Sequence, residues 1–210
     1  MDISVVIPAF NEERNIHRVL EPLHTMTEIL EILVVNDGST DRTSEIARSF
    51  GVRVLDLPRN EGKGNAMWMG LNHTSGAIVL FLDADLIGLH PEHVRSLYLP
   101  IADGLTEMTL GIFNSGRGIT DLAQKLTPFL SGQRGAARHC LLGLKKEEWI
   151  SGYGIEIALT RYARENRLRI LEVPLGNMTQ TTKEEKLGLA RGVQARLKMY
   201  WEIVKEWNRI

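Results

Sequence analysis

Four short apolar runs, at residues 3–7, 31–35, 52–57 and 77–82, constrain this chain more than any other feature. Each ends in a polar or glycine-bearing segment, and helix-like stretches separate them. Such alternation is what parallel strands joined by crossover helices produce. A helix is predicted after Asn11, with Glu12 and Glu13 in its opening turn and Ile16, Val19, Leu20 and Leu23 on one face. Two more are predicted over about 41–50 and 65–73. The strand-ending segments are Pro8-Ala9-Phe10-Asn11, Asn36-Asp37-Gly38-Ser39, Arg59 to Gly64, and Asp83-Ala84-Asp85. An open parallel sheet binds ligands at the carboxyl ends of its strands, so all four should gather on one rim.

The second half is less regular. Strands are expected near 108–113 and 169–173, and helices over 120–126 and after Tyr153-Gly154. The tail, 183–210, reads as an amphipathic helix with seven Lys/Arg against four Glu. Such a helix packs on its own domain or lies on an anionic membrane. Over the whole chain, 25 Lys+Arg meet 26 Asp+Glu among 210 residues, which excludes disorder and gives no support to nucleic-acid binding through bulk charge. One cysteine, Cys140, excludes an internal disulfide framework and suits a reducing, cytoplasmic setting. No secretory signal is visible, and the longest apolar run has six residues where a spanning helix needs about 20. One domain over 1–210 is expected.

Asp83 and Asp85 leave a buried strand two residues apart. Carboxylate oxygens are hard ligands for magnesium or manganese, metals commonly shared with substrate phosphates. Asp37 can accept from a base N–H or a ribose hydroxyl, or close an Asx turn through Gly38. Gly62-Lys63-Gly64 lacks the spacing of a P-loop, yet its glycines leave Lys63 free to approach a diphosphate. Gln133, Arg134 and Arg138 lie in an Arg-rich stretch suited to an anionic acceptor, or form a solvated loop and helix start. Glu156, in the first turn of a predicted helix, can face a sugar or serve as a base toward an acceptor.

The ordered series Val5-Val6-Ile7-Pro8-Ala9-Phe10-Asn11-Glu12, Val35-Asn36-Asp37-Gly38-Ser39-Thr40-Asp41, Asn60-Glu61-Gly62-Lys63-Gly64-Asn65-Ala66 and Phe81-Leu82-Asp83-Ala84-Asp85-Leu86 resembles family 2 glycosyltransferases of the GT-A fold. Over about 108–180, Gly116-Arg117-Gly118-Ile119-Thr120-Asp121-Leu122, Ser131-Gly132-Gln133-Arg134 and Gly152-Tyr153-Gly154-Ile155-Glu156-Ile157 look more loosely like glucosyl-3-phosphoglycerate synthases.

The resemblance implies a three-layer, Rossmann-like α/β fold with a mostly parallel central sheet. Residues 3–90 would form its nucleotide-sugar half, 91–182 its acceptor half and 183–210 a C-terminal helix. It implies a hexosyltransferase moving glucose from a UDP-sugar, with a divalent metal, to a phosphorylated or carboxylated small molecule or a polyprenyl phosphate. Pro8, Ala9, Asn11, Glu12 and Ala84 would line the nucleotide cleft, and Asp37 would bind uracil or ribose. Lys63 would sit by the base or diphosphate, Asp83 would reach the ribose or the metal, and Asp85 would ligate the metal. Relatives often complete that site with a histidine. Residues 177–182 contain none, and Gln180 is the expected replacement. Peripheral contact at the inner membrane face is the expectation attached to the basic 183–210 tail, and a homodimer is compatible with the chain. A sugar-nucleotidyltransferase and a noncatalytic nucleotide-sugar-binding module are the alternatives.

Overall fold

A computed structural model describes residues 2–114, 131–150 and 154–180. In chain order the elements are β1 (Ile3–Ala9), α1 (Ile16–His24), β2 (Glu31–Asn36), α2 (Thr43–Ser49), β3 (Arg53–Asp56), α3 (Lys63–Asn72), β4 (Ile78–Phe81) and β5 (Leu86–Ile87). There follow α4 (Pro91–Ala102), β6 (Met108–Asn114), β7 (Arg134–Ala137), α5 (Arg138–Leu141), α6 (Lys146–Trp149), α7 (Ile155–Glu165), β8 (Ile170–Gly176) and β9 (Thr179–Gln180). The expected helices at 120–126 and 183–210 lie outside the described residues.

Seven strands form one sheet in the order β3-β2-β1-β4-β7-β6-β8, and β5 pairs with β9 in a separate ribbon. Only β7 runs against its neighbours; every other pairing in the large sheet is parallel. Because side chains alternate faces along a strand, each strand feeds two cores. Val5, Ile7, Val34, Leu80 and Leu82 meet α1, α2 and α4 on one face, while Val6, Leu33, Val35, Val79 and Phe81 meet α3, α6 and α7 on the other. The result is helix, sheet, helix in three layers, as expected from the alternation.

The first helix begins later than Asn11. Asn11 adopts a left-handed conformation (φ 55°), which asparagine tolerates better than most residues. The amides of Glu12 and Glu13 donate to Thr43 Oγ1 and Asp41 Oδ2, at 2.8 and 3.1 Å, so this stretch is spent tying the loop after β1 to the start of α2. Helix α4 escaped the sequence reading, although Val94, Leu97, Tyr98 and Ile101 have the spacing of its buried face. Of the Arg-rich stretch, expected as a loop and helix start, residues 134–137 form the strand β7 and the helix α5 starts at Arg138.

Close packing fixes α3. A Cβ on Gly64 would stand 1.8 Å from the main-chain oxygen of Trp149, so α6 sits against the helix backbone itself. Gly64→Ala should therefore destabilise the fold by roughly 2 kcal/mol or more, since the clash with a carbonyl outweighs alanine's helix preference of up to about 1 kcal/mol. A thermal melt should show a midpoint lower by about 4–8 °C.

Candidate active site

The carboxyl ends of β1, β2 and β4 do meet on one rim. There the loops after β1 and β2 are stitched together: Asn11 N–H donates to Ser39 Oγ and Asn11 Oδ1 accepts from Thr40 N–H, both at 2.9 Å. Glu12 is buried and accepts from Asn15 Nδ2 at 2.8 Å. Pro8 and Ala9 belong to buried β1 and shape the floor.

Asp37 does not close the turn through Gly38; Asn36 does so, its Oδ1 accepting from Ser39 N–H at 3.1 Å, and Asp37 reaches across to a distant loop instead. Its two carboxylate oxygens accept from the main-chain N–H groups of Glu61 and Gly62, at 2.8 and 2.9 Å. Gly38 (φ 70°) lets the turn pack there; a Cβ at this position would stand 2.4 Å from the Arg59 carbonyl carbon. The Asp37 carboxylate thus fixes the loop that delivers Lys63 to the first position of α3.

Lys63 forms the centre of the site. A cation at a helix N-terminus is disfavoured by the helix dipole, yet two carboxylates compensate. Lys63 Nζ lies 2.5 Å from Asp83 Oδ1 and 2.7 Å from Glu156 Oε1. Burial works against the ammonium, but Asp83 and Glu156 outweigh it and hold the lysine pKa above its usual value. Burial likewise works against ionised Asp83, and Lys63, Gln133 and Gln180 overcome it and keep that carboxyl below the ordinary range. Glu156 comes from the first turn of α7, where negative charge suits the helix dipole and where Gly154 (φ 110°) makes the entry.

Asp83 is held from several sides. Besides Lys63, its Oδ2 accepts from Gln133 Nε2 at 3.1 Å and from Gln180 Nε2 at 2.6 Å. Three of roughly four carboxylate lone-pair positions are therefore engaged by protein. Ala84 is buried beside it and Asp85 is half-buried. The β5–β9 pairing sets Leu86 opposite Gln180, which brings Gln180 to the residue after Asp85. Asp85, an amide and one remaining position on Asp83 make a hard-oxygen donor set of the kind magnesium or manganese accepts. Among the described residues no group of three or more His, Cys, Asp or Glu could hold a metal.

The three residues expected to bind an acceptor do otherwise. Gln133 is fully buried against Asp83. Arg134, 2% exposed, donates to the main-chain oxygen of Glu156 and to Thr160 Oγ1, both at 2.9 Å. It holds the first turn of α7 against the sheet, and burial pushes its pKa down to about 10. Arg138 lies at the opposite end of β7, donating to the carbonyls of Leu71 and Gly76 and to Thr74 Oγ1. The cause is β7 itself: a strand of four residues separates the two arginines by the depth of the sheet. Sequence reasoning also missed Gly132. A Cβ there would stand 2.4 and 2.7 Å from the Asp83 oxygens and 2.6 Å from Lys63 Nζ. The glycine in Ser131-Gly132-Gln133 was the available signal.

The glycosyl transferase family 2 model matches residues 4–156, which include the rim and all three charged residues at its centre. The chain belongs to glycosyltransferase family 2. The glucosyl-3-phosphoglycerate synthase of Mycobacterium tuberculosis is 34% identical over 195 residues, covering 75% of this chain and 59% of the relative. The chain thus spans about three-fifths of that relative's length. The 4,4'-diaponeurosporenoate glycosyltransferase of Staphylococcus aureus is 34% identical over 100 residues, covering 45% of this chain and 27% of the relative. Crystal structures of the M. tuberculosis synthase share the fold. One in complex with phosphoglyceric acid has a TM-score of 0.69 at 32% identity, covering 85% of this chain and 71% of that one. Another, holding Mn2+, UDP-glucose and phosphoglyceric acid, has a TM-score of 0.68 at 32% identity with the same coverage. The family 2 chain therefore has the GT-A fold, and β7 is the antiparallel member of its sheet. Among the described residues no helix is long and apolar enough to cross a membrane.

Proposed function

We propose that this family 2 chain is a metal-dependent hexosyltransferase that moves glucose from UDP-glucose to a small phosphorylated acceptor. The cluster Lys63–Asp83–Glu156 at the carboxyl rim of the sheet carries the reading. It joins a cation and two carboxylates contributed by three elements at the edge where a sheet of this type binds ligands. Residues 3–90 form the nucleotide-sugar half in this reading, and one domain spans 1–210. The loops around Asn11 and Asp37 bound the nucleotide, and Lys63, Asp83 and Glu156 meet the sugar and the acceptor hydroxyl. Breaking the sugar–diphosphate bond leaves negative charge on the leaving phosphate while the anomeric carbon becomes electron-poor. A divalent cation, held by Asp85 with Gln180, supplies charge neutralisation to that leaving group when bound. The phosphorylated acceptor is supported by the likeness to the mycobacterial synthases, whose crystals contain phosphoglyceric acid or glycerol 3-phosphate. Polyprenyl phosphate is the competing acceptor, and a peripheral membrane site belongs to that version; a homodimer is compatible with either.

Asp85→Ala tests the metal role. Titration calorimetry should show that manganese no longer strengthens UDP binding, and turnover of UDP-glucose should fall by about 100-fold or more. Unchanged binding and turnover would remove Asp85 from the proposal.

A further inference from the structure

We propose that Gln133 is a positioning residue that acts through Asp83. The proposal rests on the reading of the rim as a sugar-transfer site and assigns a device within it. Gln133 has no exposed surface, so it cannot meet an acceptor directly. Its amide instead spans Asp83 end to end. Gln133 Oε1 accepts from the Asp83 main-chain N–H at 3.0 Å, and Gln133 Nε2 donates to Asp83 Oδ2 at 3.1 Å. One planar group thus ties the aspartate's backbone to its own carboxylate and fixes the torsions between them.

The fold is arranged to deliver that amide. Phe81 pairs with Arg134 in the antiparallel β4–β7 ladder, so the residue before Arg134 falls beside the exit of β4. Gly111 on β6 donates its N–H to Gln133 O at 2.8 Å, and a Cβ on Gly111 would stand 3.1 Å from Gln133 Cβ. Three strands therefore converge on one side chain.

The chemistry selects glutamine. The position needs an acceptor for an N–H and a donor for a carboxylate on one group, and a side-chain amide offers both. A glutamate would accept only and would set one carboxylate against another. Methionine fills similar space and offers neither. Without the clamp, Lys63 and Gln180 still hold the carboxylate tip, but the tie to the Asp83 main chain is gone.

A double-mutant cycle tests this, because coupled residues depart from additivity and independent ones do not. Gln133→Met is expected to lower kcat for glucose transfer by about 10- to 100-fold, the scale found for groups that orient a ligand from behind. KM for the acceptor should stay within about two-fold, as for a group without substrate contact. Asp83→Asn should lower kcat at least as far, and the double variant should be no slower than Asp83→Asn. Wild-type kcat in Gln133→Met, or a double variant showing the product of both losses, would overturn the assignment. If Gln133→Met does not fold, Gln133→Glu keeps the acceptor for the main-chain N–H and carries the same expectations. Crystal structures of the wild type and Gln133→Glu, without substrate, separate the two readings. A turned Asp83 carboxylate is expected, and an unmoved one overturns the clamp. A turned carboxylate in a chain that never transfers sugar would support the clamp and defeat the proposed function.

Discussion

Lys63→Met should abolish most sugar transfer and reshape the pH dependence of stability. The variant leaves Asp83 and Glu156 facing one another with their shared cation removed. Loss of one well-placed electrostatic group costs about 100- to 1,000-fold in turnover, and a steady-state assay with UDP-glucose should show it. Breaking a fully buried pair costs about 3–5 kcal/mol. The Lys63 side chain is 34% exposed, so solvent screening reduces the expected loss to roughly 1–3 kcal/mol. The sign with pH follows from the two shifts. Depressed Asp83 adds stability above its unfolded value near 3.9, and that contribution is lost as pH falls through its folded pKa. Raised Lys63 adds stability below about 10.4, lost as pH rises through its folded pKa. In the wild type the pair therefore contributes evenly from about pH 5 to 9. In the variant, burial acts on Asp83 without the ammonium to oppose it, so its pKa should rise above the unfolded value. Protonation then favours the folded state, and the variant should lose stability as pH rises from about 4 to 7. Urea melts across that interval should show the gap to wild type widening; a constant gap would mean that Lys63 does not neutralise Asp83.

Gly132→Ala should be nearly as damaging to turnover while costing no more stability than Lys63→Met. The new methyl would enter the space between the Asp83 carboxylate and the Lys63 ammonium, at 2.4 to 2.7 Å from their polar atoms. Lys63 is long and can withdraw at little cost. Asp83 is short and clamped by Gln133, so the ion pair opens and the cleft narrows. A loss of about 100-fold or more in kcat/KM is expected from displacing the reacting groups by about 1 Å. Relief by the flexible lysine should hold the stability change to about 1 kcal/mol, and a melt beside the kinetic assay checks both. Wild-type turnover would show that substrate does not use this space.

The parts of the fold legible in the sequence are those where one signal acts alone. β1, β2 and β4 are buried on both faces and read as apolar runs; the polar segments that end them mark the rim. Helix α3 begins at Lys63 rather than near 65, because Gly62 (φ 94°) turns the chain abruptly into the helix. β7 was opaque because Arg134-Gly135-Ala136-Ala137 has no β-branched or aromatic residue. Its glycine and alanines suit close neighbours: a Cβ on Gly135 would stand 2.6 Å from Thr109 Oγ1 and 2.8 Å from Leu97 O. Reading arginines as acceptor ligands failed for a related reason. A guanidinium that satisfies buried carbonyls looks, in one dimension, like one that waits for an anion. Asp37, Lys63, Asp83 and Glu156 were legible as chemistry, but their partners were not, since 93 residues separate the Lys63–Glu156 pair and 97 separate Gln180 from Asp83.

The strand that opposes its neighbours also sets a schedule for folding. β1 to β4 find their partners among themselves, while β6 reaches the half-sheet only through β7, which follows β4 by more than 50 residues in the chain. Synthesis delivers the chain N-terminal end first, so β1 to β4 are available to pair before β7 has emerged. The half proposed to bind the nucleotide can therefore be ordered while Asp83 still lacks Gln133 and Lys63 still lacks Glu156. During synthesis, such a chain would build its first four strands before its charged cluster was complete.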